Sequence, residues 1–245
     1  MQIVITGSSG GIGAEIVTRF LMHGAQVVGI DRLPAGNVND QHPAFRFLQC
    51  DLADTSSQER VIATLLGAIS SLDLIVHCVG IFYDDQTARS SESIQHELWR
   101  TNYVAPIEMT EALQSLLLRG NAPSVIFIAS ADAVVASGGQ DSEIGTAHDL
   151  YYAASKGALL TAMRALAMRW AAVNIRVNAI CPTIIRSPMT AELLAIPRKE
   201  EQLSRAIPLG RIGVCADVAT AVECLHRLTF TTAHALPVDG GYLCR

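Results

Sequence analysis

The sequence predicts an α/β fold in which a doubly wound, mostly parallel sheet lies between two layers of helices. Half of the 245 residues are hydrophobic and only 17% are charged, so the chain can bury a large core. Aromatic residues make up only 5%, and the aliphatic residues that dominate instead are typical of buried parallel strands. Strand-like apolar runs also alternate with helical stretches along the chain, which indicates βαβ units.

Seven apolar runs predict seven strands, and most of them are separated by helical segments of ten or more residues. We predict strands at residues 2–6, 25–31, 45–51, 72–80, 124–130, 175–182 and 234–241. We predict helices at residues 12–23, 57–70, 93–119 and 150–172. No repeat or low-complexity linker interrupts the pattern, so we expect residues 1–245 to form a single domain.

Charge and cysteine content argue against several kinds of partner. A net charge of −5 disfavours nucleic acid and anionic membranes, and no long uncharged apolar run predicts a membrane span. The chain enters its first predicted strand at Gln2, so we expect no signal peptide. The six cysteines form no C-x-x-C pair and no metal-type cluster with histidine. We therefore predict reduced thiols, no metal site and a cytoplasmic location.

The stretch TGSSGGIG (residues 6–13) joins the first predicted strand to the first predicted helix. Gly7 permits a tight turn, Gly11 lets the backbone approach a pyrophosphate, and Gly13 lets the helix pack on the strand. The free N–H groups at the start of the helix would face the phosphates. We therefore predict a dinucleotide site with phosphate contacts at Gly7, Ser9, Gly11, Ile12 and Gly13. An ordinary strand-to-helix turn is the alternative.

Acidic residues at the ends of the next two strands predict how the adenosine half is bound. The carboxylate of Asp31 can accept hydrogen bonds from the ribose hydroxyls, and it would repel a 2′-phosphate. The adjacent Arg32 could instead bind such a phosphate. Because the glycine loop contains no Lys or Arg to assist, the sequence favours NAD over NADP. Asp51 and Leu52 are predicted adenine contacts, with an ordinary helix N-cap as the alternative for Asp51.

The segment DLYYAASKGALL (residues 149–160) places two tyrosines and a lysine on an apolar helix. Tyr152 and Lys156 are four residues apart and share a face, whereas Tyr151 is rotated away from it. A free phenol exchanges protons poorly at neutral pH, but a nearby ammonium would lower its pKa. Tyr152 is therefore a candidate general acid/base. This spacing also arises by chance, and the upstream glycine loop favours the catalytic interpretation.

Together these motifs resemble the short-chain dehydrogenase/reductase family over nearly the whole chain. TGSSGGIG is similar to the family's cofactor motif T-G-x-x-x-G-x-G, and YYAASK to its active-site motif Y-x-x-x-K. TNYVAP (residues 101–106) and FIAS (residues 127–130) resemble the segments that supply an asparagine and a serine. The resemblance implies a Rossmann fold, alcohol–ketone chemistry with a nicotinamide cofactor, and a catalytic tetrad: Asn102, Ser130, Tyr152 and Lys156.

The resemblance also implies a role for each member of the tetrad. Tyr152 would exchange a proton with the substrate oxygen, and Ser130 would hydrogen-bond the same oxygen. Lys156 would lower the pKa of Tyr152 and bind the nicotinamide ribose. Asn102 would hold a water molecule next to Lys156.

Two segments that line the cofactor in the family are altered here. HCVG (residues 77–80) stands where the family has N-N-A-G; it keeps Gly80 as a predicted cofactor contact. We predict that His77 is a core residue, with a cofactor contact as the alternative. PTIIRSPM (residues 182–189) is similar to P-G-x-x-x-T. It nominates Pro182, Ile185 and Ser187 as contacts of the nicotinamide.

The spacing between Ser130 and Tyr152 is 22 residues, wider than the family's usual dozen or so. We expect the extra length, residues 136–149, to lie at the mouth of the active site. There Asp141, Glu143 or His148 could contact a polar substrate; a solvated surface loop is the alternative.

Residues 183–210 correspond to the family's substrate lid, an element suited to movement. The apolar members of this segment either line a pocket or dock its helix on the domain; they are Met189, Leu193, Leu194 and Ile196.

The sequence therefore predicts an NAD-dependent oxidoreductase that interconverts a secondary alcohol and a ketone. The alternatives are an NADP-linked carbonyl reductase and a non-catalytic NAD(H)-binding regulator. The helix at residues 150–172 carries apolar residues on more than one side, so one side is expected to meet a partner subunit. The family resemblance implies a homodimer or homotetramer; burial of that side under the chain's own C-terminal part is the alternative.

Overall fold

A seven-stranded parallel sheet with helices on both faces forms the body of the molecule. The computed structural model describes residues 1–34, 41–83, 91–135 and 149–244. The strands of the sheet are β1 (Gln2–Thr6), β2 (Gln26–Asp31), β3 (Phe45–Gln49), β4 (Leu74–His77), β5 (Ser124–Ile128), β6 (Arg176–Pro182) and β9 (Ala235–Val238). Two short strands, β7 (Ile185–Arg186) and β8 (Gly213–Val214), pair separately.

The strand order is β3-β2-β1-β4-β5-β6-β9, and every pairing in the main sheet is parallel. The helices are α1 (Gly11–Met22), α2 (Thr55–Ala68), α3 (Ser91–Trp99), α4 (Ala105–Ala112), α5 (Gln114–Leu117), α6 (Asp149–Trp170), α7 (Ala191–Leu194), α8 (Pro197–Ala206) and α9 (Cys215–Arg227). In the described part of the chain, no helix combines the length and apolarity needed to cross a membrane.

Two hydrophobic cores flank the sheet because successive side chains of a strand point to opposite faces. On β1, Ile3 and Ile5 belong to the core under α1 and α9, whereas Val4 belongs to the core under α2, α4 and α6. All three side chains are fully buried. The predicted doubly wound, three-layer α/β architecture is confirmed.

The predicted strands match the observed ones closely, but β4 ends at His77 rather than at residue 80. His77 is buried and stacks on Phe127, with ring centroids 5.1 Å apart. Its Nε2 donates to the Thr110 hydroxyl over 2.7 Å, because that hydroxyl already donates its own proton to the Pro106 oxygen. Burial lowers the pKa of His77 to about 3. His77 is therefore a neutral core residue, as predicted.

The predicted helix at 93–119 is wrong as a continuous element. A π-helical turn, Arg100–Val104, separates α3 from α4, and a further break at Leu113 separates α4 from α5. Pro106 has no N–H to bond the oxygen of Asn102 four residues earlier. The N–H of Ala105 instead bonds the oxygen of Arg100, five residues back.

Within the part of the chain that the structure describes, helix α6 buries one face and leaves the other open. Leu159, Leu160 and Met163 are almost completely buried against the sheet. Leu150 and Met168 are 68% and 75% exposed, so the other face is open. Burial of that face under the chain's own C-terminal part, the alternative drawn from the sequence, is not what the structure shows.

The segment expected to form a lid consists of β7, α7, α8 and the turns between them. Leu194 docks it on the domain in a small core with Ile207 and Ile212. Met189 and Ile196 are about half exposed, at 54% and 47%. Leu194 therefore anchors the segment, while these two side chains are partly exposed to solvent.

Candidate active site

The predicted site residues gather at the carboxyl edge of the sheet. Gly7 follows β1, Asp31 ends β2 and Gly80 lies just beyond β4. Ser130 follows β5, and Pro182 ends β6. Parallel strands flanked by crossover helices open a crevice at this edge where the strand order reverses, here between β1 and β4.

Three positions of the glycine loop, Gly7, Gly11 and Gly13, have a backbone conformation or a close contact that disfavours a side chain. Gly7 and Gly11 have φ values of +70° and +48°. A Cβ on Gly13 would lie 1.9 Å from the Gly7 oxygen, so helix and strand meet too closely for any side chain. The helix begins after Gly10 without a side-chain cap. Its first N–H groups are thus free to bind an anion, which fits a cofactor pyrophosphate.

Asp31 ties the glycine loop to the end of β2. Its Oδ2 accepts the Ser9 N–H over 3.0 Å, and its Oδ1 accepts the Leu33 N–H over 3.0 Å. The Ser9 hydroxyl donates to the Leu33 oxygen, while Arg32 is exposed. The carboxylate is therefore fixed beside the loop, where a ribose would lie.

Asp51 is not the N-cap of α2. The N-cap is Asp54, whose carboxylate accepts the Ser56 N–H over 2.9 Å. Asp51 instead accepts the Ala53 N–H in a local turn and is otherwise exposed. Leu52 is buried in the core, so only its backbone can face a ligand.

Tyr152 and Ser130 meet although 22 residues separate them. The Ser130 side chain lies beside the phenol of Tyr152 and, acting through a hydrogen bond, lowers the pKa of that phenol. Ser130 also accepts the Asp132 N–H over 3.1 Å, and its hydroxyl donates to Asp132 Oδ2 over 3.2 Å. Phe82 packs edge-on against the tyrosine ring, with centroids 5.4 Å apart. Two hydroxyls thus converge where a substrate oxygen could bind both.

Lys156 lies one helical turn from Tyr152, as the spacing predicts, but its ammonium is buried. Its Nζ donates to the Ile128 oxygen over 2.9 Å and lies 5.8 Å from the centroid of the Tyr152 ring. Burial lowers the pKa of Lys156 to about 8, and the nearby thiols of Cys78 and Cys181 act in the opposite direction.

The expectation that Lys156 depresses the pKa of Tyr152 is wrong for this structure. Burial is the largest effect and raises the pKa of the phenol, and the negative charge of Asp132 raises it further. Only the hydrogen bond from Ser130 lowers it. The lysine is directed at a backbone oxygen rather than at the phenol, so desolvation dominates.

Asn102 bonds a backbone segment of the site. Its Oδ1 accepts the Ile81 N–H over 2.8 Å, and its Nδ2 donates to the Ile81 oxygen over 3.0 Å. The same amide group donates to the Ser155 hydroxyl over 3.2 Å. A Cβ on Gly80 would lie 3.2 Å from Lys156 Nζ and 3.6 Å from Asn102 Oδ1. These groups therefore border one small space next to Gly80.

The segment after β6 reaches back to the glycine loop. A Cβ on Gly11 would lie 3.2 Å from Cβ of Ser187 and 3.4 Å from Cδ of Pro188. Ile185 is buried in β7, and Pro182 ends β6 at the edge of the crevice. A cleft of about 360 Å³ opens beside Ser187, between Arg186 and Ala195.

Two polar residues of the site were not predicted from the sequence. Asp132 lies two residues after Ser130, the predicted catalytic serine. An acidic residue this close to Ser130 is the only feature of the sequence that could have indicated its role. Ser155 lies inside the tyrosine–lysine motif; its hydroxyl donates to the backbone oxygen of Tyr152 over 2.7 Å. The loop residues Asp141, Glu143 and His148 lie outside the described residues.

A comparison with protein families identifies the chain. A family model described as enoyl-(acyl carrier protein) reductase matches residues 7–243. The chain belongs to the short-chain dehydrogenase/reductase family. Members of this family are oxidoreductases that bind nicotinamide cofactors, so the glycine loop and the tyrosine–lysine motif have their expected context.

Curated relatives of this short-chain dehydrogenase/reductase match it along almost its whole length. Bovine L-xylulose reductase is 29% identical over 246 residues, which cover 99% of this chain and 96% of the relative. Human 3-oxoacyl-[acyl-carrier-protein] reductase is 29% identical over 243 residues, covering 97% and 95%.

Solved structures of the same fold include enzymes with either nicotinamide cofactor. The ligand-free aldohexose dehydrogenase of Thermoplasma acidophilum is 25% identical, with a TM-score of 0.84 over 100% of this chain and 94% of that one. Pseudomonas aeruginosa RhlG with NADP is 26% identical, with a TM-score of 0.88 over 99% and 96%. A 4-hydroxyisoleucine dehydrogenase complexed with NADH shares the fold at 23% identity, with a TM-score of 0.87 over 100% and 99%.

Proposed function

We propose that this short-chain dehydrogenase/reductase is an NAD-dependent enzyme that interconverts a secondary alcohol and a ketone, with Tyr152 as general acid/base. The observation that carries the proposal is that the Ser130 side chain, the Tyr152 phenol and the buried ammonium of Lys156 lie together at the carboxyl edge of the sheet. Two hydroxyls in this arrangement can bind one substrate oxygen from two directions. The names of the relatives, which are dehydrogenases and reductases, agree with this chemistry.

A bound nicotinamide cofactor supplies the hydride for ketone reduction and accepts it in alcohol oxidation. In reduction, Tyr152 donates its hydroxyl proton to the carbonyl oxygen as the carbon gains the hydride, and a phenolate remains. Ser130 donates a hydrogen bond to the same oxygen and stabilises the charge that develops there. In oxidation, Tyr152 in its phenolate form takes the proton of the alcohol.

The two other members of the tetrad support this proton transfer. Lys156 binds the hydroxyls of the nicotinamide ribose, since its buried ammonium is held at the crevice by the Ile128 oxygen. Asn102 holds a water molecule in the space next to Gly80 and Lys156, through which Tyr152 exchanges protons with the solvent. The hydrogen bonds between Asn102 and Ile81 fix the backbone that borders this space.

NAD is the proposed cofactor because the fixed carboxylate of Asp31 would repel a 2′-phosphate. Gly7, Gly11 and Gly13 leave room for the pyrophosphate. Asp51 would contact the adenine, and Ser187 the nicotinamide. The exposed Arg32 favours the second candidate, an NADP-linked carbonyl reductase, because its guanidinium can turn toward a phosphate.

A non-catalytic NAD(H)-binding regulator is the candidate from a different class. His77 and Cys78 replace the family's two asparagines, and Thr183 replaces a glycine beside the predicted nicotinamide site. Intact positions at Asn102, Ser130, Tyr152 and Lys156 favour the enzyme.

We also propose that the chain forms a homodimer or homotetramer through the open face of α6. Leu150 and Met168 on this face are largely exposed, and burying them against a second copy would stabilise the assembly. The segment 183–210 serves as the substrate lid, with Met189 and Ile196 facing the ligand. Sedimentation velocity tests the assembly, and a monomer at micromolar concentration contradicts it.

A screen of secondary alcohols and ketones, read by NADH or NADPH absorbance, tests the proposed function. Tyr152→Phe is expected to lower kcat by roughly 100-fold or more, because it removes the proton carrier. NADH binding should change by only a few-fold. Tyr151→Phe is the matched control and should keep wild-type turnover. Tight NADH binding without turnover of any compound would replace the enzyme with the regulator.

A further inference from the structure

The carboxylate of Asp132 lies in the active site, and the proposed mechanism does not use it. Asp132 Oδ2 accepts the hydroxyl proton of Ser130 over 3.2 Å. The backbone N–H of Asp132 donates to the same serine oxygen over 3.1 Å. Ser130 thereby caps the short 3-10 turn Ala131–Ala133, which needs only the backbone bond. The carboxylate contact is an addition to that cap.

The contact matters because a serine hydroxyl carries one proton. As long as Ser130 donates this proton to Asp132, it cannot donate it to a substrate oxygen. The proton is then withheld from Tyr152 as well, and the negative charge of Asp132 favours the protonated phenol. In this state the serine is not ready to stabilise negative charge on the substrate.

No basic side chain of the described residues neutralises Asp132. It forms no ion pair in the described part of the chain, and its Oδ1 accepts no hydrogen bond there. Lys156, the cation of the predicted tetrad, donates to the Ile128 oxygen instead. A carboxylate oxygen that has no partner among the described residues is a strong hydrogen-bond acceptor for a ligand.

We propose that Asp132 binds a second hydrogen-bond donor of the substrate, a hydroxyl or a protonated amine on the carbon next to the reacting carbon. This inference rests on the proposed alcohol–ketone chemistry. The donor takes the place of the Ser130 proton on the carboxylate, and the serine then turns its proton to the reacting oxygen. Adjacent carbons fit because Ser130 contacts Asp132 over 3.2 Å and, in the proposed mechanism, binds the reacting oxygen, so the carboxylate is within reach of a donor on the neighbouring carbon.

Three matched compounds test the proposal: cyclohexanol, cis-1,2-cyclohexanediol and 2-aminocyclohexanol. The full-length enzyme is assayed with saturating NAD, and binding of each compound to the enzyme–NADH complex is measured by calorimetry. We expect kcat/KM for the diol or the amino alcohol to exceed that for cyclohexanol by roughly tenfold or more. A larger effect for the amine identifies charge as the recognised feature, and a larger effect for the diol identifies hydrogen bonding.

Variants assign the preference to the carboxylate. Asp132→Ala should bring the ratio of kcat/KM between diol and cyclohexanol close to one, and Asp132→Asn, which keeps an acceptor but removes the charge, should lower that ratio. Glu59→Gln removes an exposed carboxylate of α2 that is not a proposed site residue, and it should leave the ratio unchanged. Thermal unfolding and NADH binding show whether each variant is folded.

Equal kcat/KM and equal affinity for the three compounds in the wild-type enzyme would overturn the role of Asp132. A preference that survives in both Asp132 variants would overturn it as well. Turnover of cyclohexanol in that case leaves the proposed function intact. The proposed function itself is contradicted by a different result: no alcohol or ketone of the wider screen is turned over with either cofactor.

Discussion

The ammonium of Lys156 lies 5.8 Å from the centroid of the Tyr152 ring, and its hydrogen bond goes to the backbone oxygen of Ile128. The lysine is therefore positioned by the end of β5 and not by the phenol. Because both side chains are buried, desolvation raises the pKa of the tyrosine and lowers that of the lysine. Each group favours its neutral form more than it would in water.

This arrangement predicts different pH profiles for the two directions of the reaction. Alcohol oxidation needs deprotonated Tyr152, whose pKa is raised, so kcat/KM should rise about tenfold per pH unit from about pH 6 to about pH 8. Ketone reduction needs the protonated phenol and should stay flat over this range. Asp132→Asn should move the rising limb to lower pH, because the aspartate charge raises the pKa of Tyr152. A limb that stays in place would show that Asp132 does not contribute to this shift.

Asp31 should control the choice between NAD and NADP. Asp31→Ala is expected to weaken NAD binding roughly tenfold or more, and to relax discrimination against NADP. It also releases the Ser9 and Leu33 N–H groups. Asp31→Asn separates the two effects, because it keeps an acceptor for Ser9 and removes the charge. Fluorescence titration with both cofactors measures the ratio; an unchanged ratio in both variants would refute the ribose assignment.

Gly13 and Gly10 give a matched pair within one loop. Gly13→Ala forces a Cβ to within 1.9 Å of the Gly7 oxygen, so the loop must shift. We expect the loss of most NADH affinity and a lower melting temperature. Gly10→Ala meets no atom within 4 Å and has an extended backbone, so it should be tolerated. Similar NADH affinity in the two variants would mean that the loop does not hold the cofactor.

Asn102 should contribute to stability as well as to turnover. Asn102→Ala leaves the Ile81 N–H and oxygen without their partners. We expect the free energy of unfolding to fall by about 1–3 kcal/mol, together with a loss of turnover. Asn121→Ala is the control at an exposed position. Denaturant unfolding that shows no difference between the two variants contradicts this assignment.

The Rossmann architecture was predictable because composition and periodicity act over short distances along the chain. Seven apolar runs became the seven strands, and β1 matched to the residue at Gln2–Thr6. The π-helical turn at Arg100–Val104 was not predictable from periodicity, since it depends on one missing N–H at Pro106. The second small sheet was missed as well, because two-residue strands such as Ile185–Arg186 carry no periodic signal.

The candidate site likewise has features that the sequence predicted and features that it did not. The sequence nominated Ser130, Tyr152 and Lys156 as a group, and the first two are in contact. It predicted the direction of the Tyr152 pKa shift incorrectly. The four-residue spacing between Tyr152 and Lys156 indicates that the ammonium and the phenol share a helix face. How deeply both groups are buried, and which atom the ammonium bonds, depends on tertiary packing.

By itself, the amino-acid sequence determined the fold class, the glycine loop and the residue types that meet at the carboxyl edge of the sheet. These properties follow from local periodicity and from backbone freedom at positions such as Gly7. Only the tertiary structure decided that Lys156 bonds the Ile128 oxygen and that Asp132 bonds Ser130. Hydrogen bonding and desolvation depend on which atoms come close together when strands and helices pack. The order of residues along the chain does not specify those distances.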